Sequence, residues 1–313
     1  MWRTLRASLA EIPASLDKFA QTHELVHIHN NHYFNLPMAD RIKQRYGTMK
    51  VVSETHDIQS EHMFASAYRL WAVGENSSYE AYLRDEFHYS NLADELVHLN
   101  AAEFDTFKVA LPHKKHHLIY PGLHRPPKSP DTMRDIDFLI VASDNEANYN
   151  SLRWFLDNVW DESLHKRATL RIVGNIDRSL KGIGRQRYSQ YKDLFAGRVN
   201  DLHSWYCRAK TVLVPVIQGH GIAVKTIEAL SYGLPMIFSP LAIRGFDGNP
   251  AVSKLHAPCT TAAEFKSAIE ARIVEMQVRP DQHPDTAETS VYEQLFTFEK
   301  YRKNISLLLK APE

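Results

Sequence analysis

The sequence has no excess of either charge: 37 Lys and Arg residues balance 37 Asp and Glu residues over 313 positions. A chain without a net field does not bind nucleic acid or an anionic membrane through global charge, so any attraction to phosphate must be built locally. Cysteine is scarce as well. Cys207 and Cys259 are the only two, their spacing matches no metal or redox motif, and two thiols suit a reducing cytoplasm, the expected location. No apolar run reaches the roughly 18 to 20 residues of a membrane span, and the N-terminal stretch lacks the apolar core of a signal peptide. No internal repeat or low-complexity segment is present. A G-x-G-x-x-G following a first strand is also missing, which weighs against an NAD(P)-dependent oxidoreductase.

What remains is an ordinary globular composition, 44% hydrophobic and 24% charged, long enough for two domains. The N-terminus reads as an amphipathic helix, with Leu5, Leu9, Ile12 and Leu16 near helical spacing and Arg3 and Arg6 beside them. That face suits covering a sheet, and peripheral contact with the inner face of a membrane is the other use open to it. Short apolar strands then alternate with helices, the pattern of a mainly parallel α/β sheet. Strands are expected at residues 24–29, 49–54, 95–100 and 117–120, and helices at 37–46, 75–92 and 102–110. Four prolines fall within residues 121–130, a stiff connector that marks a domain boundary. The pattern restarts with strands at 137–142, 169–173, 197–199, 211–216, 236–238 and near 255. The helices expected there cover 150–160, 186–195, 201–209, 222–232, 262–277 and 289–309.

The chemistry concentrates in residues 211–245. A β-branched run ends at Pro215, the loop Gln218-Gly219-His220-Gly221 follows, and helical spacing begins at Ile222. Such a unit points unpaired backbone N–H groups and the positive end of a helix at whatever lies above the glycines, which favours phosphate. Lys225 adds a full charge one turn in, and Glu228, on the same face, can accept hydrogen bonds from a ribose diol. The same residues also fit a plain glycine turn with a Lys225–Glu228 surface ion pair.

This string resembles the nucleotide-sugar signature of retaining glycosyltransferases of the large family-four type. It supplies Gly219, Gly221, Lys225, Glu228-Ala229 and the turn Gly233-Leu234-Pro235. The resemblance implies the GT-B fold: two Rossmann-like domains facing across a cleft, here with an incomplete first domain. It covers essentially the whole chain, with an acceptor-side domain at 1–124, a nucleotide-sugar domain at 125–285 and a C-terminal helical segment at 286–313 packing back toward the first. Lys225 would hold the donor diphosphate and Glu228 the ribose. Many members carry an acidic residue eight positions before the second one, in contact with the donor sugar; His220 stands there in this chain. Members usually open on a strand and a glycine loop, whereas this chain opens on a helix, so the first third of the usual N-terminal domain is expected to be absent.

Further candidates surround the motif. His56 and Asp57 follow a strand directly, where α/β proteins bind ligands, and related transferases carry a similar Thr-x-His-Asp near the donor sugar. His56 is the candidate for contact at the reacting carbon, with Asp57 orienting it or taking a proton. The histidine run ending at His32 puts His27 and His29 on one strand face, a ligand-like geometry, but the family pattern implies no metal and no cofactor. His113, His116 and His117 are expected on a solvated loop beside Lys114 and Lys115. Ser143–Asn150 lies between a strand and a helix; Asn150 is a donor-binding candidate and the expected N-cap. Asp201 is expected to cap the helix that follows it, and Arg244 lies beyond the Gly-Leu-Pro turn as a last donor-side candidate. The expected function is transfer of a sugar from a nucleotide diphosphate donor to a hydroxyl acceptor, in bacterial polysaccharide or glycoconjugate synthesis. A nucleotide-sugar binding protein without turnover is the alternative.

Overall fold

The computed structural model describes residues 14–22, 27–30, 33–47, 49–61, 78–127, 133–176, 188–278 and 287–308. Residues 1–13, the first part of the expected amphipathic helix, lie outside them. The chain divides into two compact units. The first holds Met1–Pro121, His220–Ile222 and Tyr301–Glu313, the second Gly122–Gly219 and Ala223–Lys300.

The first unit contains α1 (Ala14–Thr22), β1 (His27–Asn30), α2 (Leu36–Tyr46), β2 (Lys50–Thr55), α3 (Tyr79–Ser90), β3 (Glu95–His98), α4 (Ala101–Ala110) and β4 (Lys115–Leu118). The four strands pair in parallel in the order β1-β2-β3-β4. Because side chains alternate along a strand, neighbours in sequence serve opposite cores. Val51 and Leu96 pack with Leu36, Ala39 and Phe107, while Val52 and Val97 pack with Ile119 and with Leu308 of the C-terminal helix. Caps start the helices at defined points: Ser78 accepts from Ala81 N at 3.3 Å, and Asn100 accepts from Glu103 N at 2.9 Å.

The second unit contains β5 (Ile136–Val141), α5 (Glu146–Asn158), α6 (Glu162–Arg167), β6 (Leu170–Val173), β7 (Phe195–Gly197), α7 (Leu202–Arg208), β8 (Ala209–Val214), α8 (Val224–Ser231), β9 (Met236–Phe238), α9 (Ala262–Val278), α10 (Ala287–Leu295) and α11 (Phe298–Leu308), whose last eight residues belong to the first unit. Its five strands are parallel, in the order β7-β6-β5-β8-β9. Phe138, Phe155, Trp160, Ile172, Phe265 and Ile269 fill the core over one face. Truncating Phe155 there would cost about 3 to 5 kcal/mol. Gly174 turns the chain out of β6 at φ 125°, and a Cβ there would sit 2.0 Å from the Ala142 carbonyl oxygen, so no other residue fits.

Several expectations are corrected. The helix expected at 150–160 begins at Glu146, because the Asn145 side chain accepts from Asn148 N at 2.8 Å and starts it a turn earlier. Asn150 therefore lies inside the helix and is not its cap. His116 and His117 lie in strand β4, not on a solvated loop. His116 stacks on buried His98 with ring centroids 5.2 Å apart, and His117 Nε2 lies 2.7 Å from Glu95 Oε2. No strand forms near Leu255; Pro250–Lys254 is a 3-10 turn fixed by Asn249, whose side chain accepts from Ala251 N at 3.0 Å. The single helix expected at 289–309 is two, since Leu123 N donates to Phe296 O at 2.8 Å and Phe298 N donates to Leu123 O at 2.9 Å. Those bonds take the backbone groups that a continuous helix would use. Asp201 does cap α7, accepting from His203 N at 3.0 Å.

Candidate functional site

The glycine loop runs from the end of β8 to the start of α8, with Gly219 counted in the second unit and His220–Ile222 in the first. Gly219 adopts φ 138° and Gly221 φ 61°, conformations that L side chains rarely take. The N-cap of helix α8 is Ala223, which supplies no side-chain cap; Thr226 N donates to Ala223 O at 2.9 Å, and the N–H groups ahead of it are left for another acceptor. Lys225 lies in that first turn and is half-buried. Its ammonium donates to the Asn148 amide oxygen, a neutral partner. Burial, with the nearby Arg244 guanidinium, holds the Lys225 pKa down to about 8, and Glu228 offsets only part of this. Asn148 is itself fixed, its amide nitrogen donating to Ser143 O at 3.0 Å and approaching Ser143 Oγ at 3.1 Å. Asn150 Nδ2 donates to Gln218 Oε1 at 2.8 Å and so ties α5 to the loop. A Cβ at Gly219 would lie 3.3 Å from Arg244 Nη2. Asn150, Gly219, Lys225 and Arg244 thus converge, with the two cations close enough to raise each other's cost.

Glu228 takes no part in a surface ion pair with Lys225. It is half-buried, and its Oε2 accepts from the hydroxyl of Tyr206, a residue 1% exposed, at 3.0 Å. Burial raises the Glu228 carboxyl, with Tyr206 and Lys225 pulling the other way.

In the first unit, His56 and Asp57 follow β2 directly. The residue that engages His56 is Glu54, 8% exposed. Its Oε1 lies 3.3 Å from His56 Nε2, its Oε2 lies 3.6 Å from His29 Nε2, and Oε2 also accepts from the Tyr301 hydroxyl at 3.1 Å. Burial pushes this carboxyl up, but the two imidazoles outweigh it and bring the pKa down to about 2. His56 moves up in return, through its contact with Glu54 and against the effect of its own burial. The loop residues that belong to this unit meet the same strand end. His220 Nδ1 lies 2.7 Å from Glu61 Oε2, and a Cβ at Gly221 would come within 2.8 Å of the His56 carbonyl oxygen. His56, Asp57, His220 and Gly221 are thereby grouped. Among the described residues, no three His, Cys, Asp or Glu side chains cluster in a metal-holding arrangement, and no helix is long and apolar enough to cross a membrane.

Sequence reasoning does not single out Asn148, Glu54 and Tyr206, the residues that bond Lys225, His56 and Glu228. Glu54 was visible as the first residue of Glu54-Thr55-His56-Asp57, with side chains two apart on a strand sharing a face. Asn148 stood in an asparagine-rich loop without a signal to separate it from its neighbours. Tyr206 gave none, since an aromatic residue in a short helix reads as core.

Residues 135–273 match the family Glycosyl transferases group 1. No curated protein matches the sequence. Among solved structures, the Anabaena protein HepE in complex with UDP superposes with a TM-score of 0.67 at 15% identity, covering 94% of this chain and 81% of that one. The pneumococcal O-GlcNAc transferase GtfA in complex with UDP and GlcNAc gives 0.62 at 15% identity, covering 94% of this chain and 59% of that one. A glycosyltransferase from Rickettsia africae gives 0.61 at 11% identity, covering 97% and 80%. The two parallel α/β units are those of the GT-B glycosyltransferase fold.

Proposed function

We propose that this protein is a glycosyltransferase that moves a sugar from a nucleoside diphosphate donor to a hydroxyl acceptor. The observation that carries the reading is Lys225: a half-buried ammonium in the first turn of an uncapped helix, beside Arg244 and held by a neutral amide, within the segment that matches Glycosyl transferases group 1. A diphosphate supplies the charge this arrangement lacks. As the bond from the anomeric carbon to the diphosphate oxygen breaks, negative charge grows on the leaving group, and Lys225, Arg244 and the loop amides stabilise it. The acceptor oxygen bonds to that carbon and passes its proton to the departing diphosphate oxygen. In this reading Glu228 receives the ribose, Asn150 borders the donor, and His56 and Asp57 serve the transferred sugar. Residues 1–124 form the acceptor side, 125–285 the donor side and 286–313 the terminal helical segment. Retention of configuration, of the family-four kind, and a place in bacterial polysaccharide or glycoconjugate synthesis belong to the same proposal.

Uridine diphosphate is the first nucleotide to try, because HepE and GtfA were solved with UDP. Thermal melting with UDP, GDP, ADP and their sugars should show one base raising stability, since a ligand selective for the folded state stabilises it by mass action. Release of the matching diphosphate from its sugar should follow on adding an acceptor, with the anomeric configuration of the product read by NMR. No shift with any of the three would sink the proposal. A second reading, donor binding without turnover, draws on His220, which stands where many relatives place an acidic residue and engages Glu61. Binding with no release and no transfer would favour it.

A further inference from the structure

Glu228 is held in a way that its proposed role does not require by itself. Tyr206 is almost fully buried, its hydroxyl donates to Glu228 Oε2 at 3.0 Å, and its ring stacks on Tyr232 at 4.5 Å between centroids and 14° between planes. The Tyr232 hydroxyl lies 3.1 Å from His203 Nδ1, and Tyr232 N donates to Glu228 O at 3.3 Å. The stack and these bonds fix the phenol, and the phenol fixes one carboxylate oxygen. Among the described residues, Oε1 takes no hydrogen bond. A glutamate side chain has three rotatable bonds, so an untethered carboxylate would lose much of that freedom on meeting a ligand. A lysine or arginine in place of the phenol would tether it too, but would neutralise it. A phenol far from its own ionisation tethers Oε2 and leaves Oε1 a charged acceptor aimed in one direction.

We propose that Tyr206 is a positioning residue that pre-orients Glu228 to accept hydrogen bonds from a vicinal diol, making the site selective for ribonucleotides over deoxyribonucleotides. The inference rests on the ribose assignment of Glu228 and adds to it the group that makes the assignment effective. Neither Tyr206 nor Tyr232 touches the nucleotide; both act through Glu228.

The test is titration calorimetry with UDP, GDP and ADP, each beside its 2′,3′-dideoxy counterpart. The ratio of the two affinities isolates the diol from the diphosphate and base. Wild type should prefer the ribonucleotide by roughly tenfold or more, the worth of a hydrogen bond to a charged group. Tyr206→Phe keeps the stack and removes the donor; it should narrow the ratio several-fold while leaving affinity for the dideoxy form within about twofold. Tyr232→Leu keeps the hydroxyl and removes the stack, and should narrow the ratio in the same direction if Tyr206→Phe proves too unstable to measure. Wild-type ratios in these folded variants, with the preference lost in Glu228→Gln, would overturn the positioning role and spare the ribose assignment. No preference in wild type would overturn both.

Discussion

The buried charge at the strand end of the first unit meets ionisable partners, and the ammonium at the glycine loop of the second meets a neutral one. Glu54 is buried, yet two imidazoles and a phenol surround it, and its pKa falls to about 2. Lys225 is half-buried beside a second cation with a neutral amide for a partner, and its pKa falls to about 8. A satisfied network resists change and holds a ring in place; an unsatisfied one lowers its free energy when an ion arrives. The proposed anion capture by the second unit and the proposed orientation of His56 in the first rest on this difference.

The largest effect should come from breaking the second site. Lys225→Met keeps the stem and removes the charge, and should weaken nucleoside diphosphate binding by roughly 10 to 100-fold by calorimetry, the worth of a charge-assisted contact of about 1.5 to 3 kcal/mol. The ligand-free protein should behave oppositely. A lysine whose folded pKa lies below its ordinary 10.5 gives its stability above 10.5 and loses it as pH falls through about 8. At pH 7 the variant should therefore melt no lower than wild type, and its relative gain should vanish as pH rises toward 10.5. A variant that melted lower and bound normally would make Lys225 structural.

A smaller effect should follow in the first unit. Glu54→Gln removes the negative charge between His29 and His56 while keeping the shape. The His56 pKa should then move down, visible as an imidazole titration displaced to lower pH, and turnover should fall about tenfold through lost orientation. The ionised Glu54 stabilises the fold above its ordinary 4.5, a contribution lost as pH falls toward about 2. The stability gap between wild type and variant should thus be widest above pH 4.5 and close in acid. An unmoved His56 titration would show that the contact is incidental.

These contrasts explain what was legible. Val51, Val52, Leu96, Val97 and the run from Ile136 to Val141 declare strands because each side chain sees a local apolar environment, and the glycine loop declares itself because φ near 61° at Gly221 demands glycine. Lys225 and Glu228 were legible as types at a spacing. What they bond to was not, because Asn148 and Tyr206 approach from 77 and 22 residues away. The break between α10 and α11 escaped for the same reason: Leu123, distant in sequence, supplies the competing hydrogen bonds. Asn150 reads as the cap on paper, and the folded turn puts the cap at Asn145 instead.

The smallest expected effect tests how far the first unit's satisfaction extends. Below β2 a buried seam links Glu103, Thr55, His98 and His116. Thr55 Oγ1 lies 3.1 Å from Glu103 Oε2 and 3.0 Å from His98 Nδ1, His98 Nε2 lies 3.0 Å from His116 Nδ1, and His116 Nε2 lies 2.9 Å from Leu111 O. The carbonyl only accepts, so His116 Nε2 carries the hydrogen. With neutral rings, His116 Nδ1 then accepts from His98 Nε2–H, and His98 Nδ1 accepts the single hydrogen of Thr55. Thr55 Oγ1 also lies 3.3 Å from Val97 O, and a neutral Glu103 can donate to Oγ1. Burial agrees, pushing Glu103 up to about 8 and His98 down to about 3. A carboxyl whose folded pKa is raised stabilises the fold below its ordinary 4.5, and that contribution is lost as pH rises through about 8. Glu103→Gln supplies a permanent donor of the same shape. It should match wild type in melting temperature near pH 5 and exceed it progressively toward pH 8. A variant that is less stable at pH 8 than wild type would mean that Glu103 sits in the seam as an acceptor, and that the chain of donors runs the other way.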